Sequence, residues 1–273
     1  MTKFKKFYKN KKILVTGATG FKGAWLTSWL LELGAKVIGS GFNPNENKNL
    51  FYQLNLQKKI NLKIFDLRDF NKLSNLIKRT KPSIVFHLAA QPLIHVGYSK
   101  PYDTFDINFK GTLNVLEVTR KYKFIKSVVI VTSDKCYESN NSTTGFKETD
   151  VLGGIDPYSA SKASIELMTR AYRESFFSKE NIIGVSTARA GNVIGGGDWS
   201  TKRLIPDVIR SLIKNSSSSN SRSITFSRTC FFKKCNNVSF LSFVIDRIVC
   251  KGSISILLCS IILFNILTYI ILN

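Results

Sequence analysis

A chain of 273 residues with 44% hydrophobic content is long enough to bury a substantial core, as one large α/β domain or as a domain with a smaller lobe. A formal charge of +22 raises nucleic acid or an anionic membrane as partner, but lysine is scattered and no basic stripe interleaved with aromatics stands out beyond residues 3–12, so neither is expected. Five irregularly spaced cysteines argue against a disulfide framework and for a reducing, cytoplasmic compartment, and the Cys230/Cys235 pair lacks a neighbouring His or second pair, so no metal centre is expected.

In chain order, residues 1–11 read as a solvated basic leader with no apolar signal core after them. Residues 12–16 (KILVT) read as a buried strand that runs into Gly17-Ala-Thr-Gly20-Phe-Lys-Gly23, then into an apolar helix over residues 24–33 stopped by Gly34. Strand, glycine turn and helix open a dinucleotide-binding fold. Glycines let the backbone turn tightly against a pyrophosphate, whose charge meets the N–H groups at the helix N-terminus. The spacing is G-x-x-G-x-x-G, not G-x-G-x-x-G. A second strand over 36–40 leads to Gly39-Ser-Gly-Phe-Asn43, which supplies neither a carboxylate for the ribose of NAD nor an Arg for the extra phosphate of NADP. A third strand over 62–66 ends at Asp66, where hydrogen bonding to adenine and a capping or turn role are equally open. Helix 70–79 and an apolar strand over 83–90 follow. Ala89 and Ala90 are small enough to let a ribose or nicotinamide approach, Gln91 stands at the strand's mouth, and His87 reads as a core histidine.

Residues 103–121 have helical periodicity, and Asn108, disfavoured in mid-helix, points to a specific hydrogen bond. The strand 127–131 then leads to Thr132-Ser133-Asp134-Lys135-Cys136-Tyr137 and, after a loop, to Tyr158-Ser-Ala-Ser-Lys162. On a helix this i, i+4 spacing lets the Lys162 ammonium favour the phenolate of Tyr158, whose pKa is ~10 in water, which makes Tyr158 a candidate base. Tyr8/Lys12 and Tyr122/Lys126 share the spacing, but only Tyr158 follows a buried strand ending in Ser and Asp. A helix over 158–177, a strand over 182–187 and Arg189-Ala-Gly-Asn192 complete the alternation. It specifies an α/β class: a Rossmann-like, doubly wound parallel sheet with ligands at the carboxyl ends of its strands. Residues 12–190 form the cofactor domain in this reading, and 191–214 begin a substrate lobe.

Thr16-Gly-Ala-Thr-Gly-Phe-Lys-Gly23, His87-Leu-Ala-Ala-Gln-Pro-Leu93, Thr132-Ser-Asp-Lys-Cys-Tyr-Glu138, Asp156-Pro-Tyr-Ser-Ala-Ser-Lys162 and Arg189-Ala-Gly-Asn-Val-Ile-Gly-Gly-Gly-Asp-Trp199 carry a resemblance that covers residues 12–213. On them the chain resembles the extended short-chain dehydrogenase/reductase family of NAD-dependent epimerases and dehydratases. The resemblance implies NAD as cofactor, held by Gly17, Thr19, Gly20, Phe21, Gly23, Asp66, Leu67, Ala89, Ala90, Gln91, Asn108, Tyr158 and Lys162. It implies a nucleotide sugar as substrate, met by Gln91, Ser133, Asn192, Arg203 and Pro206. Lys135 points to CDP-glucose, because relatives acting on dTDP-glucose are expected to carry Glu there; His95 departs from the expected Arg. The implied chemistry is that of a hydro-lyase. Tyr158, assisted by Lys162 and Ser133, takes the proton of the sugar 4-hydroxyl while hydride leaves C4 for NAD. Asp134 then protonates the departing 6-hydroxyl, with Lys135 near the C5 proton, and hydride returns to C6 to leave CDP-4-keto-6-deoxyglucose. A homo-oligomer is implied for an intact relative.

Beyond residue 214 the composition changes. Asp246 is the only acidic residue there, four of the five cysteines lie there, and residues 253–272 are apolar enough to cross a bilayer. The expectation is a frameshifted tail, an incomplete substrate lobe and impaired activity. An inactive NAD-binding remnant, anchored to a membrane if the apolar run is genuine, and another NAD-dependent nucleotide-sugar epimerase or dehydratase are the alternatives.

Overall fold

Short apolar strands alternating with half-apolar helices leave the chain one economical solution, a parallel sheet covered on its faces by the helices that connect its strands. The computed structural model has this form and describes residues 2–42, 49–138, 145–177 and 183–216. The expectations for the tail from residue 217 onward, including the apolar run 253–272 and the Cys230/Cys235 pair, lie outside the described residues, as does Asn43. The strands are β1 (Lys12–Thr16), β2 (Lys36–Gly41), β3 (Asn61–Ile64), β4 (Ile84–His87), β5 (Ser127–Val131) and β6 (Gly184–Ala188). All pair in parallel, in the order β3-β2-β1-β4-β5-β6. The connections reverse direction between β1 and β4, and that junction is where such sheets bind ligands at the carboxyl ends of their strands.

The helices are α1 (Thr2–Tyr8), α2 (Phe21–Glu32), α3 (Leu50–Gln53), α4 (Phe70–Thr80), α5 (Ile94–Ser99), α6 (Pro101–Phe105), α7 (Gly111–Lys121), α8 (Pro157–Tyr172) and α9 (Leu204–Ser216). Strand periodicity sends Leu14, Ile38, Val85, Val128 and Ile130 to one side of the sheet. There they meet Leu73 and Ile77 of α4, Val115 and Leu116 of α7, and Ile165 of α8 in the main core. Each fully buried Leu or Ile of this kind contributes about 1.5–3 kcal/mol. The turn into α4 is set locally, because the Asp69 side chain accepts from the Lys72 amide at 3.0 Å as an N-cap.

Several expected elements change in the fold. The basic leader takes helical form: residues 2–8 make α1, with Lys3, Lys5, Lys6 and Lys9 exposed. Phe4 and Tyr8 share a helical face; Phe4 meets the ring of Trp29 with centroids 6.2 Å apart, and Tyr8 is only 1% exposed. Burial pushes the Tyr8 hydroxyl up to about 12, and Lys12 is exposed at the start of β1, so the two do not share a helix face. The helix α2 begins at Phe21, three residues earlier than its apolar stretch suggests, so Gly23 lies in its first turn. The strand expected over 83–90 pairs only as far as His87. Residues 103–121 are not one regular helix either, because a π-turn over Asp106–Lys110 separates α6 from α7.

The described residues form one unit up to Val193 and begin a second at Ile194. In the second, Arg203 donates to Asp198 at 2.9 Å, and Arg210 donates to the carbonyls of Trp199 and Ser200, both at 3.0 Å, fastening the start of α9 to the preceding turn. Among the described residues no helix is long and apolar enough to cross a membrane.

Candidate active site

The glycine turn after β1 has a shape only glycine permits. Gly17 has φ +71°, and a Cβ there would lie 2.7 Å from the Ala89 nitrogen, so the turn rests directly on the backbone leaving β4. A Cβ on Gly23 would lie 2.0 Å from the Gly17 carbonyl oxygen, so the first turn of α2 is pressed against the same loop. The N-cap of α2 is Gly20, which brings no side-chain acceptor to the helix amides. A turn without side chains that opens onto uncapped amides at the β1/β4 junction fits the pyrophosphate of a dinucleotide. Gly17, Gly20, Phe21 and Gly23 shape it. Thr19 is turned toward the end of β2, where its hydroxyl donates to the Phe42 carbonyl at 3.0 Å.

Beside this cradle runs a directional chain of hydrogen bonds. The Thr112 hydroxyl donates to the Asn108 carbonyl at 2.7 Å and therefore accepts from Nε2 of His87 at 2.9 Å; Nδ1 of His87 is left to accept from the Thr16 hydroxyl at 2.7 Å. His87 is the satisfied core histidine its context suggests, a neutral imidazole with its proton on Nε2. Asn108 is 1% exposed. Its Oδ1 accepts from the Gln91 amide at 2.7 Å, and its Nδ2 donates to the Gln91 carbonyl at 3.2 Å and to the Ser161 hydroxyl at 2.9 Å. Ser161 in turn donates to the Tyr158 carbonyl at 2.7 Å. The π-turn places this amide between the β4 loop and α8, which accounts for an Asn in mid-helix. Ala89 and Ala90 are half-buried at the mouth of β4. The Gln91 side chain is used internally, since it donates to Thr104 at 2.9 Å and accepts from the Leu93 amide at 2.5 Å.

Burial, and secondarily the charge of Lys162, holds His87 down at about 3. Between pH 6.5 and 3 the unfolded chain therefore binds a proton that the folded chain does not, and stability falls with acid by up to about 1.4 kcal/mol per pH unit. Urea unfolding at a series of pH values should show this slope in the wild type and lose about one proton's share of it in His87→Gln. Equal slopes would contradict the neutral imidazole.

The proton-moving residues converge on the end of β5. Ser133 caps a short 3-10 turn over Asp134–Cys136; its hydroxyl accepts from the Lys135 amide at 3.2 Å and donates to Asp134 Oδ1 at 3.1 Å. The Asp134 amide donates to the Ala190 carbonyl at 3.1 Å, so the segment after β6 fixes the turn. Asp134 is half-buried and Lys135 exposed. Helix α8 starts where Asp156 accepts from the amides of Tyr158 and Ser159 at 2.9 and 3.0 Å, with Pro157 in its first turn. Tyr158 is 9% exposed and Lys162 4%. The Lys162 ammonium donates to the Val131 carbonyl at 3.2 Å, which brings the helix bearing Tyr158 onto the end of β5, two residues before Ser133. Burial pulls Lys162 down to about 7, Lys22 pushes it the same way, and Glu166 opposes both.

Other expected site residues are placed differently. Asp66 lies past the end of β3, in a turn where Oδ1 accepts from the Arg68 amide at 2.9 Å and Oδ2 from the Arg68 guanidinium at 2.5 Å. The Arg68 hydrogen bond lowers its pKa, and the turn role describes it. Leu67 is buried in the main core. Asn192 is exposed at the end of the first unit; in the second, Arg203 is engaged by Asp198 and Pro206 is buried. Sequence reasoning missed Glu166, although its position four residues after Lys162 puts it on the same face of α8. It also missed that Arg189 pairs with it at 2.9 Å.

A family profile described as GDP-mannose 4,6 dehydratase matches residues 14–214. The CDP-glucose 4,6-dehydratase of Salmonella typhimurium is 46% identical over 215 residues, which cover 77% of this chain and 60% of that protein. The chain thus spans less than two thirds of that relative. Among solved structures, the Thermus thermophilus UDP-glucose 4-epimerase in complex with NAD superposes with a TM-score of 0.65 at 26% identity, over 75% of this chain and 63% of that one. The Bacillus anthracis dTDP-glucose 4,6-dehydratase in complex with NAD gives 0.63 at 26% identity, over 75% and 62%.

Proposed function

Because the chain belongs to the GDP-mannose 4,6 dehydratase family, we propose that it is built for the NAD-dependent 4,6-dehydration of a nucleotide sugar, CDP-glucose. The observation that carries this reading is the Lys162–Val131 bond, which unites Tyr158 and Lys162 with Ser133, Asp134 and Lys135 at one strand end beside the glycine turn. NAD supplies a hydride acceptor when held by the Gly17–Gly20–Gly23 turn, Ala89, Ala90 and Lys162. Tyr158 takes the proton of the sugar 4-hydroxyl, with the Lys162 ammonium stabilising its phenolate and Ser133 orienting the hydroxyl. The resulting 4-ketone acidifies C5–H. Lys135 stands on the turn that meets this proton, and Asp134, beside Ser133, gives a proton to the departing 6-hydroxyl; the hydride taken from C4 would return to C6, so the net change is the loss of one water.

A 4-epimerase would use the same tyrosine and lysine, and the likeness to UDP-glucose 4-epimerases keeps that reading as the competitor. The Asp134-Lys135 pair favours dehydration, because elimination needs a base at C5 and an acid at O6, and epimerisation needs neither. The reading includes a cytoplasmic location, consistent with the free, buried thiol of Cys136. It includes a homo-oligomer, for which Tyr98, Tyr102 and Leu167, at 65%, 81% and 56% exposure, offer apolar surface.

CDP-glucose with NAD or NADP, mixed with the 273-residue chain and with a chimera that continues residue 213 into the remainder of the Salmonella relative, tests the reading. The expected product has lost one water by mass spectrometry, with NAD bound more tightly than NADP. An isomeric product of unchanged mass would indicate the epimerase, and no conversion in either protein would overturn the reading.

A further inference from the structure

The carboxyl ends of β5 and β6 hold a buried charged cluster that none of the steps above uses. Glu166, one helical turn after Lys162, is 5% exposed and accepts hydrogen bonds from the Thr132 hydroxyl, the Thr187 hydroxyl at 2.8 Å and Nη2 of Arg189 at 2.9 Å. Arg189 also donates from Nη1 to the Tyr137 hydroxyl at 2.8 Å and lies over the Tyr137 ring, 4.8 Å from its centroid. Thr132 immediately precedes Ser133, and Tyr137 closes the turn that follows. Glu166 therefore holds one flank of the segment bearing Ser133, Asp134 and Lys135 directly, through Thr132, and the other through Arg189 and Tyr137, while standing on the helix that bears Tyr158 and Lys162. Three donors satisfy its buried oxygens, and removing it would leave the Arg189 guanidinium without its carboxylate partner.

The groups facing Lys162 come from several elements: Lys22 from the first turn of α2, His87 from β4, Cys136 from the turn after β5, and Tyr158 and Glu166 from α8 itself, with Arg189 reaching Glu166 from the segment after β6. His87 is neutral, and burial pushes the Cys136 thiol up to about 11, so it too is neutral at physiological pH. Glu166 is the carboxylate in this set. We propose that Glu166 is a positioning residue for the acid–base site, tying the turn of Ser133, Asp134 and Lys135 to α8 and supplying the negative charge that balances Lys22 at Lys162. The role rests on the use of Tyr158 and Lys162 proposed above, and its test is independent of turnover.

The full chain labelled with [13C]lysine, with the Lys162 Cε resonance assigned by its loss in Lys162→Met, gives the titration midpoint of Lys162 directly. Glu166→Gln should move that midpoint down by about one pH unit or more, since burial and Lys22 then act on it without the carboxylate that opposes them. Glu166→Asp keeps the charge but withdraws it by one methylene, so its midpoint should fall between the two; it carries the test if the Gln variant does not fold. A midpoint equal to the wild-type value in whichever variant keeps a dispersed spectrum overturns the proposal. Absence of CDP-glucose conversion in the experiment above would overturn the dehydratase reading and leave this ordering of midpoints intact.

Discussion

Tyr158→Phe is expected to lower CDP-glucose-dependent formation of reduced cofactor by about two to four orders of magnitude, the usual share of a positioned acid–base group. NAD affinity should be unchanged. The substitution removes one hydroxyl and keeps the ring, which is 9% exposed. The backbone of Tyr158 stays held from both sides, its amide by the Asp156 cap at 2.9 Å and its carbonyl by the Ser161 hydroxyl at 2.7 Å. The helix start therefore survives, and the loss falls on proton transfer. Asp134→Asn separates the two halves of the chemistry, because it leaves the tyrosine in place and removes the acid for the 6-hydroxyl. Stopped-flow absorbance should then show reduced cofactor that forms and persists. Wild-type turnover by Tyr158→Phe, in whichever of the chain and its chimera is active, would end the assignment of this residue as the base.

Gly23→Ala is expected to destabilise the fold by about 3 kcal/mol and to weaken NAD binding by about tenfold or more, the effect of losing about 1.4 kcal/mol of contact with the pyrophosphate cradle. The new Cβ would lie 2.0 Å from the Gly17 carbonyl oxygen and 2.8 Å from the Ala18 Cα, both backbone atoms that cannot rotate aside. Either α2 moves off the turn or the turn moves off Ala89, and both deform the cradle. Gly111→Ala is the matched control. It sits at the start of α7, its Cβ would meet only the Leu67 Cβ at an ordinary 3.8 Å, and it gains the helix preference of alanine. Thermal melts and NAD titrations of the two variants should diverge sharply. A Gly23→Ala protein with wild-type melting and affinity would show that the contact is not limiting.

What the amino-acid order determined by itself is the local part of this protein. The five-residue apolar strands at 12–16 and 127–131 are found at those positions, because a run with no polar face has only a two-sided burial available to it. The glycine turn, the Asp156-Pro157 start of α8 and the i, i+4 relation of Tyr158 to Lys162 are equally local, being matters of backbone sterics and helix periodicity. Even the need of Asn108 for a partner is legible, from a side chain that competes with its own helix.

Which partners those groups find was decided only by the tertiary structure. The π-turn that aims Asn108 at Gln91 and Ser161 has no sequence signature, and neither does the burial of Tyr8, which turns a lysine-rich leader into α1. Asp66 stands after an apolar strand, yet only the fold shows Arg68 occupying its oxygens. Glu166 and Arg189 lie 23 residues apart and meet because β6 is laid beside β5 with α8 packed across their ends. The charge state of Lys162 depends on how much water the packed neighbours exclude. Desolvation is a property of the assembled volume around a group, and neither spacing nor composition along the chain contains it.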